Sequence, residues 1–92
     1  MRYSKAMKAM KAITYSATAL KQLARIERTA ALRIRAKLEQ YAADPTSLAN
    51  QIKALEGIAA LRLRVGDYRV IFTDDGVILM VIKVGHRRDI YR

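Results

Sequence analysis

The chain has 92 residues, 52% of them hydrophobic, and lacks cysteine, which points to one self-sufficient folded domain and excludes disulfides, thiolate metal sites and a disordered chain. A single histidine among scattered carboxylates leaves no metal cluster and implies no cofactor. The formal net charge of +10 predicts attraction to polyanions, but the basic residues are spread along the chain and do not by themselves locate a site.

Residues 1–10 read as a basic N-terminal extension, opening a near-repeat, Lys5-Ala6-Met7-Lys8-Ala9-Met10-Lys11-Ala12, in which Met7 and Met10 could each begin the protein. No apolar h-region follows the start, and Lys83 cuts the longest apolar run well short of the roughly 20 residues that span a bilayer. A cytoplasmic protein without a membrane partner is the expectation.

The domain proper covers residues 11–92. Residues 11–15 form a short strand with Ile13 and Tyr15 inward, and Ser16 supplies a helix N-cap. Across residues 17–43 apolar residues recur every three to four positions. Leu20, Leu23 and Ile26 make one stripe, and Ala30, Ile34, Leu38 and Tyr41 a second. The polar Glu27-Arg28-Thr29 between them predicts two antiparallel helices, with Thr29 as a cap for the second. Arg25, Arg28, Arg33, Arg35 and Lys37 fall on outer faces and read as a solvated helix surface. Asp44-Pro45 ends the second helix, because proline disfavours helical backbone at the residue before it. A linker with room for one helical turn follows, pinned by Ile52 and Leu55 and turning at Gly57.

From Leu61 to Arg69 apolar and cationic residues alternate around Gly66-Asp67. A period of two means opposite strand faces, so this is a β-hairpin. A two-residue turn pairs Val65 with Tyr68, Arg64 with Arg69 and Leu63 with Val70. One face then collects Leu61, Leu63, Val65, Tyr68, Val70 and Phe72; the other collects Arg62, Arg64 and Arg69. Like charges directly opposite one another weaken a sheet. Folding does not require that pair, and a bound anion would explain it.

After Asp74-Asp75-Gly76, the apolar run from Val77 to Ile82 predicts a central strand covered on both faces. A three-residue loop with Gly76 in the left-handed region pairs Val70 with Met80 and puts Lys83 on the arginine face, which avoids burying a lysine. The expected architecture is α+β: a small β-αα-βββ domain whose mostly antiparallel four-stranded sheet carries a helical hairpin on one face.

Arg62, Arg64, Arg69, Lys83 and Arg88 together suit phosphate, since guanidinium forks match its oxygens and stay charged. Cleaving RNA through its own 2′-hydroxyl asks a protein to hold the phosphate, stabilise added charge and move protons. Arginines serve the first two needs. His86 alone has an unperturbed pKa near neutrality, and Tyr91 could orient a base or acid. A lone histidine near a chain end is, on spacing alone, more often a surface residue.

The run Leu61-Arg62-Leu63-Arg64-Val65-Gly66-Asp67-Tyr68-Arg69-Val70-Ile71-Phe72, followed by Val84-Gly85-His86-Arg87-Arg88-Asp89-Ile90-Tyr91-Arg92, resembles the RelE branch of the RelE/ParE toxin superfamily. The resemblance extends over residues 11–92. It implies the toxin of a type II toxin–antitoxin pair, a ribosome-dependent endoribonuclease that cuts mRNA in the ribosomal A site and so inhibits translation. It further implies a cognate antitoxin, and operator DNA reached only through that antitoxin. On its motifs Arg69, Arg87 and Tyr91 take catalytic positions, with His86 where some members have lysine, and Arg62 and Arg64 lie on the phosphate-contacting strand. Some members have lysine at the positions of Ala60 and Arg62, which throws proton transfer onto His86, Tyr91 or the ribosome and mRNA. A ParE-like gyrase poison and a non-catalytic basic nucleic-acid-binding domain are the alternatives.

Overall fold

In the computed structural model, residues 10–90 are described. The basic extension, Met10 excepted, and the pair Tyr91 and Arg92 lie outside the described residues. The chain runs β1 (Ala12–Tyr15), α1 (Ala17–Arg25), α2 (Arg28–Ala43), a 3-10 helix (Pro45–Gln51), β2 (Ile52–Ala54), β3 (Leu61–Val65), β4 (Tyr68–Asp74) and β5 (Ile78–His86).

Ser16 starts α1 as its composition suggested, with its side-chain oxygen accepting from the Ala19 amide at 3.0 Å. The helix stops where Ile26 turns extended, and α2 begins after Glu27, not after Thr29. Glu27 makes no side-chain cap bond, so the break is set by packing of the two stripes and not by a strong cap. The second stripe is buried as expected, at Ala30, Ile34, Leu38 and Tyr41. In the first, Ala19 takes the core position beside Leu23, while Leu20 is 47% exposed. A small residue lets α1 lie close to the sheet, and the leucine one position on is turned outward.

The sheet has five strands in the order β1-β5-β4-β3-β2, and only the β1–β5 pair is parallel. The additional strand, β2, forms inside the expected linker and pairs with Leu61 to Leu63. Both helices cover one sheet face, where Leu23, Ile34 and Leu38 meet Leu63, Val70, Phe72, Leu79, Val81 and Val84. Tyr41 packs edge-on against Phe72, ring centroids 5.0 Å apart.

The Gly66-Asp67 hairpin has the expected register, Arg64 opposite Arg69. The second hairpin does not. Asp74 pairs with Leu79 and Phe72 with Val81, a β-bulge follows, and Val70 meets Val84 instead of Met80. The bulge leaves Ile82 and Lys83 in succession between the core-facing Val81 and Val84, so Lys83 still lands on the arginine face, opposite Ile71. Nor is β5 covered on both sides, because Ile78, Met80 and Ile82 are each about two-fifths exposed.

A polar cluster ties β1 to the end of β4. Lys11 Nζ lies 2.7 Å from Asp74 Oδ2, the Tyr41 hydroxyl donates to the same oxygen at 2.8 Å, and the Gly76 amide donates to Oδ1 at 2.8 Å. Burial pushes the Asp74 carboxyl up, but the bonds from Lys11, Gly76 and Tyr41 outweigh it and hold the group below its ordinary value. Burial, then the bond to Asp74 and its charge, push Tyr41 up to about 12. The linkage signs follow. The Asp74 contribution is complete above the ordinary carboxylate value of 3.8 and disappears as pH falls through the lower folded value. The Tyr41 contribution is complete below 10.0 and disappears as pH rises through about 12. Thermal melts as a function of pH should therefore show a shallower acid limb for Asp74→Asn and a shallower alkaline limb for Tyr41→Phe; limbs parallel to wild type would contradict the assignment.

Candidate nucleic-acid interface

Among the described residues no helix covers the other face of the sheet, and its register sorts the side chains. Lys53 pairs with Arg62, Arg62 with Ile71 and Ile71 with Lys83, giving one row across four strands. The neighbouring row runs Arg64, Arg69, Gly85. Partners in register share a face, so Lys53, Arg62, Arg64, Arg69 and Lys83 stand together. Lys53 was missed from sequence because its strand is three residues long; the signal was the apolar–cationic step Ile52-Lys53. Toward β1 the same face turns apolar, with Ile78, Met80 and Ile82 exposed.

The Gly66-Asp67 turn organises the cations at its end. Gly66 has φ +59°, which a residue with a Cβ rarely adopts. Arg69 donates from Nη1 to the Gly66 and Tyr68 carbonyls at 2.9 and 3.0 Å. The Arg87 amide donates to the Asp67 carbonyl at 2.7 Å, and its Nε lies 3.6 Å from the Asp67 carboxylate. At such exposure that ion pair contributes little energy, and its effect is to aim the guanidinium. Two arginines from distant segments thus converge on one turn.

His86 stands apart from the cationic rows. It pairs with Tyr68, a core-facing position, and their rings meet edge-on at 5.8 Å. Its Nδ1 accepts from the Arg88 amide at 3.2 Å, which shapes the start of the tail. Arg88 is exposed on that tail. Tyr91 is outside the described residues. The structure therefore brings together Arg62, Arg64, Arg69 and Lys83, carries Arg87 to the rim, and places His86 at the end of β5.

Arg64 and Arg69 stand directly opposite one another, a like-charge pairing of the kind that weakens a sheet. Arg64→Thr is expected to raise stability by about 0.2–1 kcal/mol at low salt, with the gain shrinking as salt screens it. The same change should weaken RNA binding and lower its salt slope by about one. Melting curves and binding titrations at several salt concentrations check both.

The profile described as the ParE toxin of the type II toxin–antitoxin system parDE matches residues 13–91. The chain belongs to the RelE/ParE toxin superfamily. Among solved structures this toxin is similar to the RelB–RelE antitoxin–toxin complex of Methanococcus jannaschii, at 25% identity and TM-score 0.69, over 85% of this chain and 94% of that one. It is similar also to the archaeal RelE–RelB complex of Pyrococcus horikoshii OT3, at 20% identity and TM-score 0.72, over 88% and 99%. The intact RelBE toxin–antitoxin complex of E. coli gives 24% identity and TM-score 0.66, over 85% and 96%. No curated protein matches the chain. The structural likeness of the toxin is thus to RelE members, although the profile carries the ParE description.

Proposed function

We propose that this toxin is a ribosome-dependent endoribonuclease that inhibits translation by cutting mRNA in the ribosomal A site. The observation that carries the reading is the pair of cationic rows, Lys53-Arg62-Lys83 and Arg64-Arg69, on the sheet face away from the helices with Arg87 held at its rim. Like charges gathered on one face repel one another, whereas a phosphodiester backbone with a scissile phosphate gains a cradle and charge stabilisation there. Arg69 and Arg87 take the role of stabilising the charge that develops on phosphate, and Arg62, Arg64, Lys83 and Arg88 hold the strand. His86 and Tyr91 are the residues proposed to move or orient protons. No metal or cofactor enters this scheme.

The activity is proposed to be cytoplasmic and silenced by a cognate antitoxin. That face supports such a partner independently, since Ile78, Met80 and Ile82 lie exposed beside the cations. An acidic segment that folds on binding would match both halves, and operator DNA would be reached through the antitoxin.

Purified toxin should cleave mRNA programmed into ribosomes and leave the same RNA intact without them. Intact mRNA in the presence of ribosomes, together with arrested supercoiling by purified gyrase, would establish the gyrase-poison reading instead. Inactivity in both assays with retained RNA binding would leave a non-catalytic basic domain.

A further inference from the structure

One apolar residue beyond the core is buried where no fold element requires it. Ile90 is 2% exposed and packs with Ala60 and Ile71, flanked by Leu55, in a cluster separate from the main core. Ile71 belongs to the sheet face away from the helices, where its cross-strand neighbours are Arg62 on one side and Lys83 on the other. The tail after β5 therefore folds back and plants a side chain in the middle of the cationic surface.

The turn that delivers Ile90 is closed by its own hydrogen bonds. The His86 carbonyl accepts from the Asp89 amide at 2.8 Å and from the Ile90 amide at 3.0 Å, while the Arg87 amide is bonded to Asp67. Gly85 shows why the seat exists. Its φ is not positive, so backbone conformation does not call for glycine there. A Cβ at that position would stand 3.3 Å from Ile90 Cδ1, a tight contact to which Ile90 would have to give by a few tenths of an ångström.

We propose that Ile90 is a positioning residue, whose side chain in the Ala60–Ile71–Gly85 seat fixes the His86–Arg88 turn over the cationic face and holds Arg87 in its working place. It touches no reacting atom in this scheme; it acts through Arg87. The inference rests on the nuclease reading above. Holding a catalytic arginine in place matters because displacement of about 1 Å can cost on the order of a hundredfold in rate.

The test compares the full chain with Ile90→Ala, Ile90→Val and Gly85→Val in two assays. Hydrogen exchange at the Arg87, Asp89 and Ile90 amides should accelerate about tenfold or more in Ile90→Ala and Gly85→Val, and stay near wild type in Ile90→Val. In ribosome-dependent cleavage, kcat should fall roughly ten- to a hundredfold in the first two, with KM changed less than about threefold and most activity kept by Ile90→Val. Unchanged exchange would overturn the anchor. Faster exchange with wild-type kcat would overturn the positioning role. A wild-type protein that cleaves nothing on ribosomes would remove the nuclease reading and the positioning role with it, while the exchange assay would still decide the anchor.

Discussion

Arg69→Ala is expected to slow mRNA cleavage on ribosomes by about a hundred- to a thousandfold while leaving the melting temperature nearly unchanged. The rate should fall because Arg69 sits at the end of the cationic rows, fixed through Nη1 to the Gly66 and Tyr68 carbonyls. Those bonds orient a planar, permanently charged fork whose geometry matches phosphate oxygens. Stability should hold because the Gly66 carbonyl lies at an exposed turn and can bond water instead, and because removing Arg69 relieves the repulsion with Arg64. Arg69→Lys should recover little, since an ammonium keeps the charge but not the fork. Single-turnover cleavage beside thermal melts separates the effects. A loss below about threefold in the alanine variant would take Arg69 out of the catalytic group.

The largest stability effect should come from Phe72→Ala. Phe72 is fully buried in β4, the middle strand of five, and is in edge contact with Tyr41 from α2. Deleting a buried phenyl ring typically costs about 3–5 kcal/mol through lost transfer energy and the cavity left behind. A domain of this size has about 5–15 kcal/mol in all, so the variant should melt at least 10 °C lower, or roughly that, and populate unfolded chain near physiological temperature. Denaturant titration gives the direct measure. A change under about 1 kcal/mol would mean that the helices had collapsed into the vacancy.

The first hairpin was fully legible in the sequence, because a two-residue turn fixes register and the alternation fixes faces. Arg64 opposite Arg69 follows from those alone. The second hairpin was half legible. Lys83 reached the expected face, but by a bulge between Ile71 and Phe72 that no residue type announces. Short apolar runs are a poor guide to cover, and Ile78, Met80 and Ile82 stand exposed where a continuous run suggested burial on both sides. The strand Ile52–Ala54 escaped because three residues cannot display a period, and Lys53 escaped with it. His86 was read for its chemistry alone; its pairing with Tyr68, a matter of strand parity after the bulge, could not be counted without knowing the bulge. The seat of Ile90 had one trace in the sequence, a glycine inside a strand, which often marks close approach by another part of the chain.

The parallel pairing of β1 with β5 has a consequence for how the protein is made. Thr14 meets Met80 across 66 residues of chain, whereas β2 to β5 follow one another through short connections. During synthesis β1 emerges early, yet it has no strand partner until β5 has followed. Its half-buried Ile13 and Tyr15 must wait, and closing so long a loop is slow compared with forming the hairpins. The tail that carries His86 to Ile90 leaves directly from β5. The oldest and the newest parts of the domain therefore find their places in the same late step, and the cationic face acquires its rim only after the helices have been made.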